Sequence, residues 1–92
     1  MKTIWKAVLE ITDKQTLSVP KGAKFLSVAN QNEKLCAWFL VEGDTDFELA
    51  LETKTICIFG TGGPIPDKFK GEFIGTVLMY DGALAWHVFE EL

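Results

Sequence analysis

The stretch "GEFIGTVLMYDGALAWHVFE", residues 71–90, decides the fold class. It is a pair of β-type runs split by Asp81-Gly82. Asp-Gly supplies the positive φ values that a type I′ turn needs at both central positions. A loop of that kind fixes the register by counting. Met79 then faces Leu84, Val77 faces Trp86, Thr76 faces His87 and Gly75 faces Val88.

The same grammar runs backwards through the chain. In "TIWKAVLEI" one face carries Trp5, Ala7, Leu9 and Ile11, and the other carries Ile4, Lys6, Val8 and Glu10. Alternation is therefore clear on one side only. "DKQTLSVPKGAK" is loop-like, with a short edge strand over Thr16–Val19, and a further strand covers Lys24–Ala29. "NQNEK" and "EGDTD" are turn clusters. Leu35–Val41 is apolar on both faces and reads as a central strand. In "FELALETKTICIF", Phe47, Leu49 and Leu51 share a face opposite Glu48, Glu52 and Lys54, but Ile56 and Ile58 take the parity of those charges. That segment either becomes buried on both faces or carries a bulge near Lys54. Phe47–Leu51 reads as strand, with a helix as the alternative because of its helix formers and Asp start. The expected architecture is all-β: a single-domain antiparallel meander of about six strands, closing as a small barrel or sandwich.

Composition narrows the function. Ninety-two residues make one domain that buries roughly 60–65 % of its unfolded surface, enough to fold with little margin. The net charge is −4, and all nine basic residues are lysines. Without arginine, the chain lacks the usual bidentate reader of guanine and phosphate, which argues against nucleic-acid binding. The two cysteines, Cys36 and Cys57, sit in apolar runs and read as reduced, buried thiols of a cytoplasmic protein. The longest apolar run, Leu35–Val41, is far short of the ~20 residues that span a bilayer.

Catalytic and metal chemistry find little to work with. His87 is the only histidine. One His and two distant Cys make a poor zinc set, and the expected role of His87 is a strand-face side chain bonded to a neighbour such as Thr76. A triad drawn from Ser18 or Ser27, His87 and an Asp lacks a nucleophile-elbow context. Glu42, Asp44, Asp46 and Glu48 lie in or beside a turn without EF-hand spacing and read as solvated. No catalytic residue, cofactor or metal is expected.

The loop "FGTGGPIPDKF", residues 59–69, has more physical content. Gly60, Gly62 and Gly63 could turn backbone N–H groups into one anion-binding concavity, with the Thr61 hydroxyl added. Against this, there is no lysine at Walker spacing and no GxGxxG, while Pro64 and Pro66 stiffen the exit and withhold donors. The loop reads first as a junction into the C-terminal hairpin, and second as a ligand loop. Trp5, Trp38 and Trp86 lie in strands, where core packing is the default and an interface or a stacking site is the alternative.

"IWKAVLEITDKQTLSVPKGAKFLSV", "IFGTGGPIP" and "GEFIGTVLMYDGALAWHVFE" together resemble a family of short uncharacterised proteins encoded by tailed phages and prophages. The resemblance covers nearly the whole chain except Gln31–Thr53, where it is loose. Its most specific elements are PKGAK, the FGTG-x-PIP loop and the GALxWHVF ending. That family carries a histidine where this chain has Gly63, so a site pairing that residue with His87 is unavailable here. The resemblance implies a phage-related cytoplasmic protein and supplies no catalytic mechanism. The expected function is binding without catalysis: an inhibitor of a host antiphage-defence protein, using an exposed aromatic or acidic patch. The alternative is an oligomeric sponge for a nucleotide-type signal, held by Gly60–Gly63, lysines and a tryptophan, with His87 nearby. Trp5, Trp38 and Trp86 are the candidate interface residues, and a homo-oligomer is compatible with either reading.

Overall fold

The computed structural model describes residues 1–43 and 50–92. Among the described residues seven strands follow one another: β1 (Lys2–Val8), β2 (Lys14–Pro20), β3 (Lys24–Gln31), β4 (Lys34–Glu42), β5 (Leu51–Gly60), β6 (Gly71–Met79) and β7 (Leu84–Glu91). The expected strand or helix over Phe47–Leu51, and the acidic residues Asp44, Asp46 and Glu48, lie wholly or mostly outside the described residues.

The strands form two antiparallel sheets, ordered β1-β4-β3 and β2-β5-β7-β6, which enclose one core; among the described residues no strand pairing joins the two sheets. The all-β expectation therefore holds, with a different connectivity from a simple meander. Only the β3–β4 and β6–β7 neighbours are consecutive in the chain; β1 reaches β4, β2 reaches β5 and β5 reaches β7. The seventh strand arises because Lys14–Pro20 pairs along its whole length with β5. Its polar sequence suits an edge strand with one solvated face.

Core residues follow the pleat. Leu35, Ala37, Phe39 and Val41 of β4 share one face, and they meet Ile56 and Ile58 of β5, Val77 and Met79 of β6 and Val88 of β7 in a single buried cluster. Burying one such side chain contributes roughly 1.5–3 kcal/mol. The parity puzzle in β5 resolves as burial on both faces: pairing with β2 runs unbroken from Cys57 to Leu51, and Ile56, Cys57 and Ile58 are all buried. Lys54 keeps the inner parity at the open end of the core, where its Nζ lies 3.1 Å from Glu90 Oε2.

The C-terminal hairpin has the predicted register at all four pairs, Met79–Leu84, Val77–Trp86, Thr76–His87 and Gly75–Val88. Asp81 (φ +55°) and Gly82 (φ +84°) hold the turn, which closes with Ala83 N–H donating to Tyr80 O at 3.0 Å. The β3–β4 hairpin uses the same device without glycine: Gln31 pairs with Lys34, and Asn32 (φ +55°) and Glu33 (φ +59°) make the turn.

Candidate functional site

The glycine–proline loop folds back over the outer face of the four-stranded sheet. Gly63 N–H donates to Gly60 O at 3.1 Å, and Phe69 N–H donates to Pro66 O at 2.9 Å. Phe69 then stands edge-on to Phe59 and Phe89, with ring centroids at 5.2 and 5.7 Å. Phe59–Phe89 and Phe73–Phe89 contacts at 5.6 and 5.3 Å complete a four-ring cluster. Edge-to-face aromatic pairs contribute about 0.5–1.5 kcal/mol beyond their buried area. The Gly63 N–H is thus committed to the loop's own turn, so the proposed concavity loses one of its donors.

His87 stands on the same outer face and joins the loop to β6. Its Nε2 lies 2.8 Å from Thr61 Oγ1, and its Nδ1 lies 2.9 Å from Thr76 Oγ1. A neutral imidazole has one N–H donor and one acceptor nitrogen, so one threonine hydroxyl accepts and the other donates. With both nitrogens engaged, the ring offers no free lone pair to a metal. Among the described residues, no group of three or more His, Cys, Asp or Glu is placed to hold an ion. The structure thus brings Thr61 and His87 together, in an arrangement that anchors a loop.

A second feature lies at the end of the molecule where the two hairpins meet. Asn30 Nδ2 donates to Leu78 O at 3.2 Å, and Glu33 Oε2 accepts Tyr80 N–H at 3.1 Å. Glu33 is steadied by its own turn, since Asn30 Oδ1 accepts its N–H at 2.9 Å. These bonds tie the β3–β4 turn of one sheet to the β6–β7 turn of the other. Beside them opens a cleft of about 450 Å³, lined by Ile11, Leu35, Met79, Tyr80, Leu84 and Trp86 among others, with Glu33 and Lys34 at its margin. Tyr80 is 58 % exposed and sits at φ +53°, a left-handed conformation that costs a non-glycine residue about 1–2 kcal/mol. Sequence reasoning missed this cleft. The turn residues Asn32, Glu33 and Asp81 were visible, but their meeting depends on how two distant hairpins stack.

The family model described as "Domain of unknown function (DUF7352)" matches residues 1–92. The chain belongs to the DUF7352 family. No curated protein and no solved structure matches it.

In this DUF7352 domain the three tryptophans lie on three different strands. Trp5 is on β1 opposite Phe39, Trp38 is half-buried on the other face of the same sheet, and Trp86 belongs to the second sheet. The Trp86 ring packs beside Gly60, where a Cβ would lie 3.6 Å from its Cζ3. Cys36 and Cys57 are buried free thiols. Burial pushes the Cys57 thiol above its ordinary value of 9.0, with the Glu91 carboxylate adding to the rise and Lys14 opposing it. A thiol so placed stays protonated at neutral pH and is a poor nucleophile. Among the described residues, no helix is long and apolar enough to cross a membrane.

Proposed function

We propose that this domain acts by binding a protein, as a phage-type accessory protein that docks on a host factor in the bacterial cytoplasm and inhibits it. The observation that carries this reading is Tyr80, an exposed aromatic on a strained backbone beside an open apolar cleft. Interfaces concentrate their energy in aromatic anchors set beside apolar pockets with a polar rim. Strain retained at an exposed residue points to use at that residue. Support by elimination comes from His87, whose ring nitrogens are both spent on threonines. In affinity capture from host lysate, the wild-type chain retains a stoichiometric partner. Tyr80→Ala and Leu84→Asp lose it with their circular dichroism unchanged, and His87→Ala keeps it. Capture that is indifferent to Tyr80 and Leu84 sinks the reading.

A second reading, a sponge for a nucleotide-type molecule, is favoured by a hollow of about 400 Å³ lined by Gly60, Thr61, Leu84 and Trp86 among others. The Thr61 hydroxyl and the indole edge would meet the ligand there. Titration with cyclic and ADP-ribose-type nucleotides should then raise the melting temperature. The absence of any shift at millimolar ligand removes this reading.

A further inference from the structure

Among the described residues the two sheets present four edge strands: β1 and β3 in one, β2 and β6 in the other. Three of them carry the features by which proteins blunt an edge. β2 begins with Lys14, ends with Pro20 and exposes Thr16 and Ser18. β3 and β6 each carry a register shift, at Phe25/Ser27 and Phe73/Gly75, and they lie against one another: a Cβ on Gly75 would be 3.0 Å from Val28 Cγ2. β1 differs. It pairs with β4 without a break from Lys2 to Val8, and it exposes Ile4 (61 %), Trp5 (40 %) and Val8 (53 %). Among the described residues, no strand pairs with its outer edge.

The direction of the unused hydrogen bonds can be read directly. Leu9 N–H donates to Leu35 O and Gly43 N–H donates to Met1 O, both at 2.8 Å. The odd-numbered residues of β1 therefore turn their backbone groups toward β4. Lys2, Ile4, Lys6 and Val8 turn theirs outward. We propose that this edge pairs with β1 of a second copy of the chain, antiparallel, about a two-fold axis at Trp5.

Charge and overlap together select that register. A two-fold axis normal to the sheet keeps side-chain faces aligned, so opposed residue numbers must sum to an even number. An axis at Ile4 sets Lys2 against Lys6, and an axis at Lys6 sets Lys6 against itself; like charges directly opposite are destabilising. Axes at Thr3 and Ala7 also keep the lysines apart, but they overlap only Lys2–Ile4 or Lys6–Val8 of β1. An axis at Trp5 pairs all of Lys2–Val8, setting Ile4 against Lys6 and Lys2 against Val8, with no two lysines opposed. In that arrangement Ile4 and Lys6 exchange backbone hydrogen bonds on both sides of the axis, and the two Trp5 residues form the close, non-hydrogen-bonded pair. The result is one continuous six-stranded sheet across the dimer, from three strands in each copy.

The mass of the full chain in solution tests this, measured by sedimentation over a concentration series. The expected species is a dimer of the 10.3 kDa chain. Ile4→Lys opposes two pairs of like charges and should weaken dimerisation about tenfold or more while leaving the circular dichroism unchanged. Adding Lys6→Glu to that variant turns both pairs attractive and restores the dimer. Trp5→Cys should form an intermolecular disulfide under oxidation, because Cα atoms of such a pair lie roughly 4.5 Å apart; Thr3→Cys and Ala7→Cys, which do not meet their own copies, should not. A chain that stays monomeric at all concentrations overturns the proposal and leaves the edge to a strand of another protein. A dimer indifferent to Ile4→Lys, or cross-linked equally by all three cysteines, overturns the β1 pairing.

Discussion

Gly71 marks the tightest point of the loop closure. A Cβ there would stand 2.5 Å from the Phe69 ring and 3.1 Å from Glu90 O, and Phe59 and Phe89 hold that ring in place. Gly71→Ala should therefore cost about 1–3 kcal/mol, read as a fall in the denaturant midpoint. In a Phe69→Ala background the same substitution should cost less, because the 2.5 Å clash has gone and only the 3.1 Å approach to Glu90 O is left. Equal costs in both backgrounds would show that Phe69 does not cover Gly71. Cys57 and Lys14 make a pH prediction. The Cys57 thiol is raised above 9.0 chiefly by burial, and the Lys14 ammonium is raised above 10.5 chiefly by its hydrogen bond and attraction to Glu91. Above each ordinary value the unfolded chain has released a proton that the folded chain still holds, so the folded state binds more protons. Stability then falls as pH rises, first from about 9 for the thiol and then from about 10.5 for the amine. Melting temperatures should be level from neutral pH to about 9 and fall beyond, and Lys14→Gln should lessen only the upper part of the fall. A melting temperature that rises above pH 9 contradicts the assignment.

At the scale of elements, the contact between the two hairpins is the feature most open to a single change. Glu33 accepts from Tyr80 N–H at 3.1 Å and from Asn30 Nδ2 at 3.4 Å. Glu33→Ala should cost about 1–2 kcal/mol, since hydrogen bonds to a charged acceptor are stronger than neutral ones. Glu33→Gln, which keeps an acceptor, should cost less than half as much in urea unfolding. The hairpins themselves were legible in the sequence. Asp81-Gly82 carries its own backbone chemistry, so the β6–β7 register could be counted residue by residue. The β3–β4 turn was legible as a cluster, though its type rests on Asn32 and Glu33 adopting positive φ without a glycine. The pairing of β1 with β4 and of β2 with β5 was not legible. Period-2 patterns say which residues share a face, but they are silent about which strand lies alongside.

For the whole molecule, the all-β class and the central place of β4 followed from apolar runs that strand alternation explains locally. The division into two sheets did not, because it depends on where the outer faces find cover. Phe59, Phe69, Phe73 and Phe89 illustrate this: they meet on an outer face under the folded loop, a contact that no local pattern marks. Of the candidate site, the His87–Thr76 bond was legible by counting the hairpin register, while the Thr61 bond to the other ring nitrogen needed the fold. The cleft beside Tyr80 left no local trace in the sequence. Its use can be tested where it lies, with a photo-crosslinking phenylalanine analogue placed at position 80 of the full chain in bacterial host cells. The expected result is one dominant heavier adduct containing a host protein, absent when the analogue replaces Thr16 on the polar edge strand. No adduct from position 80, or the same adduct from both positions, would contradict docking through this cleft.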